Sequence, residues 1–241
     1  MQHFKPQPLT YFHISRPAPC PYLPGREEQM VFTDLANHGD PNALHDRLSR
    51  AGFRRSQSIA YKPNCRHCDA CVPLRVPVAE FEPSRSLRRV WQKNAGVASR
   101  ALPPIAVGEH YRLFQRYVTS RHGEGGMSAM GYDEYVAMIQ DTPVLSRLYE
   151  YTGPDGALYG ACLTDVVDDG LSLVYSFFDP AHESLSPGKF IILWHLAEAK
   201  RRNLPYVYLG YWIEASRKMA YKADFRPAEA LRCEGWRRLE D

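Results

Sequence analysis

Three of the six cysteines fall in one short run, Cys65-x-x-Cys68-x-x-Cys71, and a fourth, Cys20, lies far upstream. Soft thiolates at that spacing can reach one metal centre, and a distant fourth can close a four-sulfur shell. Cys20, Cys65, Cys68 and Cys71 are therefore the candidate ligands, with zinc and an iron–sulfur cluster both open. His67 sits inside the run as an alternative ligand. The bland reading is that these thiols only pack. Cys162 and Cys233 stand alone, and isolated cysteines usually behave as small buried hydrophobes.

A second set of candidates is basic. Arg85, Arg88, Arg89 and Lys93 recur at the spacing of one helix face, opposite Leu87, Val90, Trp91 and Asn94. Such a stripe fits a phosphate backbone or is a plain solvated face. Ser186-Pro187-Gly188-Lys189 follows a strand and opens a helix. Free backbone N–H groups there, with Lys189, make a seat for a phosphate or a developing oxyanion, unless this is a simple helix start. The segment from Tyr206 to Lys222 is dense in aromatics and includes Lys218. Tyr208, Tyr211 and Trp212 either stack on a base or pack a core. Gly210 lets a ligand approach the backbone closely. No Ser-His-Asp set, Walker loop or His-Glu-x-x-His motif occurs, which leaves transfer by positioning and electrostatics. Asp179 and Glu183 lie near the loop but mark no general base, so no catalytic residue is assigned.

The elements that must position these groups can be read from pattern. Residues 1–30 are rich in proline and aromatics, hence extended or turn-rich. A short helix is expected over Asn42 to Gly52 and a strand from Gly52 to Tyr61. Val72 to Phe81, interrupted by prolines, suits an edge strand. An amphipathic helix is expected over residues 84–100, then a boundary at Leu102-Pro103-Pro104, dividing 1–103, the cysteine-rich part with the basic helix, from 104–241. Helices over Glu109 to Arg121 and Tyr132 to Gln140 flank a glycine-rich loop at 122–126. Strands at Leu145 to Tyr151 and Ala157 to Val167 surround the turn Gly153-Pro154-Asp155-Gly156, followed by a strand at Leu171 to Phe178. A helix over Phe190 to Arg202 and a strand at Tyr206 to Leu209 complete the order. A meander followed by strand–loop–helix–strand resembles the acetyltransferase-like fold of the N-acetyltransferase superfamily: an α+β, GNAT-type mixed sheet with helices, here carrying a cysteine-rich N-terminal subdomain. The superfamily's acetyl-CoA loop, Arg-x-x-Gly-x-Gly/Ala, is absent from its place, so acetyl-CoA is not expected as donor.

The chain has 241 residues, 44% hydrophobic and 24% charged, with a formal charge of +3. That allows one large domain or two modest ones and does not by itself declare a nucleic-acid partner. No signal peptide or membrane-spanning run is read from it, so a cytoplasmic protein is the expectation, and there clustered cysteines point to metal or redox chemistry before disulfides.

Several ordered motifs together are more specific than any of these features. Cys20-Pro-Tyr-Leu-Pro-Gly-Arg, the run Tyr61-Lys-Pro-Asn-Cys-Arg-His-Cys-Asp-Ala-Cys-Val-Pro-Leu-Arg-Val and Ser86-Leu-Arg-Arg-Val-Trp occur in the first half. Tyr175-Ser-Phe-Phe-Asp-Pro, Leu185-Ser-Pro-Gly-Lys and Leu209-Gly-Tyr-Trp-Ile-Glu-Ala-Ser-Arg-Lys-Met-Ala-Tyr-Lys follow. Over nearly its whole length the chain resembles the arginyl-tRNA–protein transferase family, and more closely its short bacterial branch, the aspartate/glutamate leucyltransferases. The resemblance implies an acetyltransferase-like fold and transfer of leucine from Leu-tRNA to the N-terminal amine of proteins beginning with Asp or Glu, giving a destabilising N-terminus of the N-degron pathway. Related eukaryotic members carry an iron–sulfur cluster through an upstream cysteine pair, whose second place is Leu23 here.

On that reading, the Lys189 loop holds the tRNA 3′ end or the oxyanion. Tyr175, Tyr208 and Tyr211 line the aminoacyl pocket or stack on the terminal adenine, and Lys218 belongs to the same substrate-binding segment. Arg75 is the first candidate for the acceptor's acidic side chain, with Arg85 and Arg89 behind it. Arg88 and Lys93 lie on the tRNA path. A metal-stabilised RNA-binding protein without transferase activity is the rival reading, and an acetyltransferase using CoA a third.

Overall fold

The computed structural model describes residues 9–122 and 129–240. Its N-terminal strands form a small sheet in the order β1 (His13–Ile14), β4 (Met30–Asp34), β6 (Ile59–Pro63) and β5 (Arg54–Ser56), with a separate hairpin of β2 (Ala18–Pro19) and β3 (Glu27–Glu28). The single strand expected over 52–61 is broken by Gln57, at φ 52°, into the hairpin β5–β6. Helix α1 (Pro41–Arg50) starts where Asp40 accepts a hydrogen bond from the Ala43 N–H and proline takes the first position. It buries Leu44 and Leu48 against Leu35, Ala60 and Val144.

An eight-stranded sheet carries the rest. Its strands are β7 (Val72–Pro77), β8 (Ala98–Leu102), β9 (Ser146–Thr152), β10 (Leu158–Val167), β11 (Gly170–Phe178), β12 (Tyr206–Trp212), β13 (Glu229–Arg232) and β14 (Gly235–Arg238), in the spatial order β14-β13-β7-β12-β11-β10-β9-β8. Strands β8 to β11 pair antiparallel in chain order, β9 to β11 as a meander through short turns, and β11 then pairs with β12 in parallel through the crossover helix α5 (Pro187–Arg201). This is the mixed α+β sheet expected. Strand alternation sorts the two faces. Tyr149, Tyr151 and Cys162 pack with Phe190, Leu193 and Leu196 of α5. Leu148, Ala161 and Leu163 pack with Leu113 and Phe114 of α3 (Gly108–His122) and with Tyr135 and Ile139 of α4 (Tyr132–Gln140).

Further expectations change. Helix α2 (Arg85–Lys93), started by the Ser84 hydroxyl accepting from the Leu87 N–H, stops well before residue 100. The Asn94 amide turns back to donate to the Val90 and Leu185 carbonyls, and residues 98–102 extend into β8 and pair with β9. Strand β7 is interior, not an edge, between β13 and β12. It tolerates Pro73 and Pro77 because β13 pairs only with Leu74 and Arg75, so the prolines flank the doubly paired stretch. The proposed division at residue 103 does not separate two sheets, since β7 and β8 lie before it and pair with strands that lie after it. Cys162 is buried as expected, whereas Cys233 is exposed in the turn between β13 and β14. The glycine-rich loop expected at 122–126 lies outside the described residues beyond its first position.

Candidate active site

Strands β11 and β12 pair only at Gly170–Ser172 against Tyr206–Tyr208 and then part. Two bulges open them at the same level. In β11, Leu163 of β10 faces Tyr175 and Thr164 faces Leu173, which leaves Val174 as an extra residue. In β12, Tyr208 faces Arg75 and Gly210 faces Leu74, which leaves Leu209 extra, with Gly210 at φ +75°. A bulge bends its strand and increases local twist, and glycine supplies the left-handed conformation such a bend needs. Ladder bonds cannot continue across the gap, so the carbonyls of β11 need another donor.

Arg54 supplies it. Its Nη2 donates to Val174 O at 3.0 Å and also to Leu173 O, while the guanidinium lies against Gly210. Arg54 reaches the gap because its neighbour Arg55 is fixed on the opposite face of β5. Arg55 makes a bidentate pair with Asp165 of β10, Nε to Oδ2 at 2.7 Å and Nη2 to Oδ1 at 2.6 Å, with both side chains fully buried. Ser146 Oγ donates to the same carboxylate at 2.6 Å, and His45 Nε2 lies 3.0 Å from it. Burial alone would raise the Asp165 pKa, but the charge of Arg55 and the bonds from His45 and Arg55 outweigh it and hold the carboxyl well below the usual range. This cluster ties the small N-terminal sheet to the large one.

Around the gap stand Lys222 and a set of phenols. Lys222, half-buried, donates from Nζ to Tyr211 O at 2.7 Å. Burial lowers its pKa to about 7, and the nearby charge of Arg54 pushes the same way. Tyr175 of β11 has a buried hydroxyl without a hydrogen-bond partner, in the field of Tyr117 and Tyr22. Burial pushes Tyr22 and Tyr221 up to about 12, the first also in the field of Tyr61 and Cys71, the second in that of Tyr117 and Cys162. The gap is thus a polar, aromatic recess in which the N-terminal segment meets the large sheet.

The predicted residues divide. Tyr175 and Tyr211 belong to this recess, although the Tyr211 hydroxyl donates to Gly52 O at 3.0 Å and Tyr61 O at 3.1 Å. Tyr208 donates to Asp169 at 2.9 Å, on the side away from the gap. Arg75 is buried between the rings of Tyr206 and Trp236, at 3.6 and 4.3 Å, and its Nε donates to Glu229 at 2.8 Å. Its charge is therefore already matched within the sheet. Lys189 sits in the first turn of α5 and pairs with Asp224 at 2.6 Å. Asp179 and Glu183 pair with Arg116 and Arg121. Arg85, Arg88, Arg89 and Lys93 line the exposed face of α2, where Arg88 donates to Pro83 O and Lys93 to Ser184 O, beside the start of α5. Lys218 is exposed in the loop after β12.

The four candidate ligand cysteines share one neighbourhood, each partly buried. Burial, then the proximity of Cys20, Cys65 and Cys68, raises the Cys71 thiol to about 12. His67 is exposed. No three His, Cys, Asp or Glu side chains among the described residues are gathered tightly enough to hold a metal as they stand. Four thiols suit a soft or borderline metal in kind, and binding would have to draw them together and deprotonate them.

Sequence reasoning missed Arg54, which nothing in Phe53-Arg54-Arg55 distinguishes from its neighbour. The available signal was Gly210, a glycine inside an aromatic strand. It does permit a close approach, but what approaches is Arg54.

The family model described as arginine-tRNA-protein transferase, N terminus, matches residues 18–89, and that described as its C terminus matches residues 109–232. The aspartate/glutamate leucyltransferase of Parvibaculum lavamentivorans is 52% identical over 226 residues, covering 94% of this chain and 93% of that protein. That of Paramagnetospirillum magneticum is 48% identical over 239 residues, covering 99% and 98%. FemX is a distant structural likeness, with a TM-score of 0.44 and 10% identity over 83% of this chain and 79% of that one. Matches to both halves of one enzyme family, together with near-full-length identity at this level, place the chain in the arginine-tRNA–protein transferase family.

Proposed function

We propose that this aminoacyltransferase moves leucine from Leu-tRNA to the N-terminal amine of proteins that begin with Asp or Glu, creating a destabilising N-terminus. The observation that carries the reading is near-full-length similarity to aspartate/glutamate leucyltransferases. The parting of β11 and β12 supports it as the place of reaction. An aminoacyl ester is already activated, so the protein needs to bring a neutral amine to its carbonyl carbon and stabilise the developing oxyanion. The amine nitrogen forms the new amide bond, the bond to the ribose oxygen breaks, and the nitrogen's proton ends on that oxygen. Tyr175, with its unpartnered hydroxyl, is placed to donate a hydrogen bond within the recess. The exposed stripe Arg85, Arg88, Arg89 and Lys93 offers a path for tRNA phosphates beside the start of α5.

A metal or cluster, when present, would be held by Cys20, Cys65, Cys68 and Cys71 and would supply a cross-link that fixes the segment carrying Tyr22 beside the recess. A transfer assay tests the function. Purified protein is given Leu-tRNA or Arg-tRNA and peptides beginning with Asp, Glu, Lys or Ala. Leucine on the Asp and Glu peptides alone is expected, and arginine transfer in its place would overturn the donor assignment.

A further inference from the structure

We propose that Arg54 and Lys222 together receive the side-chain carboxylate of the acceptor's N-terminal Asp or Glu, and so determine its acidic specificity. The inference rests on the transfer reading above and names the part of the site that selects the acceptor.

Two cations occupy consecutive positions along the bent part of β12. The guanidinium of Arg54 covers Gly210, and Lys222 Nζ is bonded to the carbonyl of the next residue, Tyr211. Other cations nearby are neutralised: Arg55 by Asp165, Arg75 by Glu229, Arg116 by Asp179, Arg121 by Glu183 and Lys189 by Asp224. Arg54 and Lys222 have no carboxylate at ion-pair distance among the described residues, and the charge acting on Lys222 is that of Arg54 itself. Cys162 and Tyr211 also lie in the field of Arg54, and Glu28 acts on Tyr22 and Cys71. Two like charges held together in enclosed surroundings are unfavourable unless an anion joins them.

Arg54 also has an edge to offer. Its Nη2 is used on the carbonyls of β11, but its Nη1 is buried and has no hydrogen-bond partner. A carboxylate meeting that edge would complete the set of donors with a charge-assisted bond. Arg54 is fixed by its two carbonyls, whereas Lys222 is a compact charge on a flexible four-carbon stem. A fixed cation and one on an adjustable stem can accept carboxylates that differ by one methylene, which fits Asp and Glu sharing one site.

The arrangement makes binding proton-linked. An arriving carboxylate favours the charged form of Lys222, so a protein partly deprotonated at that residue near neutral pH takes up a proton as the acidic peptide binds. Titration calorimetry of the full chain at pH 7.5, with an Asp-initiated peptide in buffers of different ionisation enthalpy, reads that proton. Relative to Lys222→Arg, wild type should take up an additional substantial fraction of one proton, the acceptor amine's own proton release being common to both, and it should bind the Asn-initiated peptide at least about tenfold more weakly. Lys222→Arg keeps a cation and should bind the Asp peptide without that uptake. Lys222→Gln should raise the KM for the Asp peptide about tenfold or more and leave the KM for Leu-tRNA unchanged. Equal uptake in Lys222→Arg, equal affinity for the Asp and Asn peptides, or a parallel rise in both KM values would each overturn the proposal while leaving leucyl transfer intact. Failure of wild type to transfer leucine at all would instead remove the reading on which it stands.

Discussion

Arg54 lies flat against Gly210. A β-carbon built on Gly210 would sit 2.7 Å from Arg54 Cζ and 2.8 Å from its Nε. The missing side chain of one residue is what lets the guanidinium of the other reach the carbonyls exposed between the parted strands. The glycine's φ of +75° adds a second reason, because an L side chain is strained there. Gly210→Ala should therefore cost about 1–3 kcal/mol and displace Arg54. A fall in melting temperature of at least about 2 °C, with loss of transfer, is the expected result. The same substitution beside Arg54→Ala should cost less, and a double-mutant cycle of thermal melts measures the difference.

Asp165 is surrounded by its donors, so removing its charge strands Arg55. Asp165→Asn should destabilise by about 3–5 kcal/mol, as for other buried pairs broken on one side. Replacing Arg55 and Asp165 together by apolar residues should cost less than the sum of the single changes. The native carboxyl titrates below the unfolded value, so its contribution is complete above the unfolded pKa and is lost as pH falls through about 4 toward the native value. Urea titrations of wild type and variants between pH 3 and 6 measure this; strict additivity would show that the pair does not act as a unit.

His195 is a second acid-sensitive point. It is fully buried, its Nδ1 lies 2.8 Å from Ile191 O, and its Nε2 lies 2.8 Å from the Thr164 hydroxyl. These partners assign Nδ1 as the donor and Nε2 as the acceptor of a neutral ring. Burial pushes its pKa down to about 4. Because the native value lies below the unfolded one, stability is full above about 6.5 and is lost as pH falls toward 4, by about 3 kcal/mol. His195→Gln should flatten the melting temperature of the folded protein across that window relative to wild type. An unchanged slope would remove His195 from the acid response.

The α2 stripe predicts salt dependence. Arg85 and Arg89 are exposed on the face opposite buried Leu87. If each meets a phosphate, replacing both by Ala should lower the slope of log affinity against log salt by about 1–2. Leu-tRNA binding measured between 50 and 200 mM salt, roughly the range over which such contacts weaken most visibly, checks it. An unchanged slope would take tRNA off this helix.

The cysteines predict metal-linked stability. Protein purified without chelator should carry zinc or iron by elemental analysis, and Cys71→Ser should lower both the metal content and the melting temperature. Metal-free wild type with the melting temperature of the untreated protein would leave the four thiols as packing residues.

The sequence by itself determined the elements whose signals are local. The hairpin turn at Gly153–Gly156, the meander of β9, β10 and β11, the helix after Pro187 and the amphipathic α2 all follow from turn residues and periodicity over a few positions. It also determined family membership through ordered motifs. Tertiary structure decided what depended on partners distant in the chain. Residues 98–102 became a strand because β9 offered an open edge, and β7 became interior because β13 returned to cover it. Arg54 and Arg55 are chemically identical neighbours, and only the pleat of β5 sends one to a buried carboxylate and the other into the gap. Arg75 looked like a free cation until Glu229, far along the chain, was placed beside it. A charge is available for a substrate only when folding leaves it unmatched, and matching is a property of positions in space that spacing along the chain does not encode.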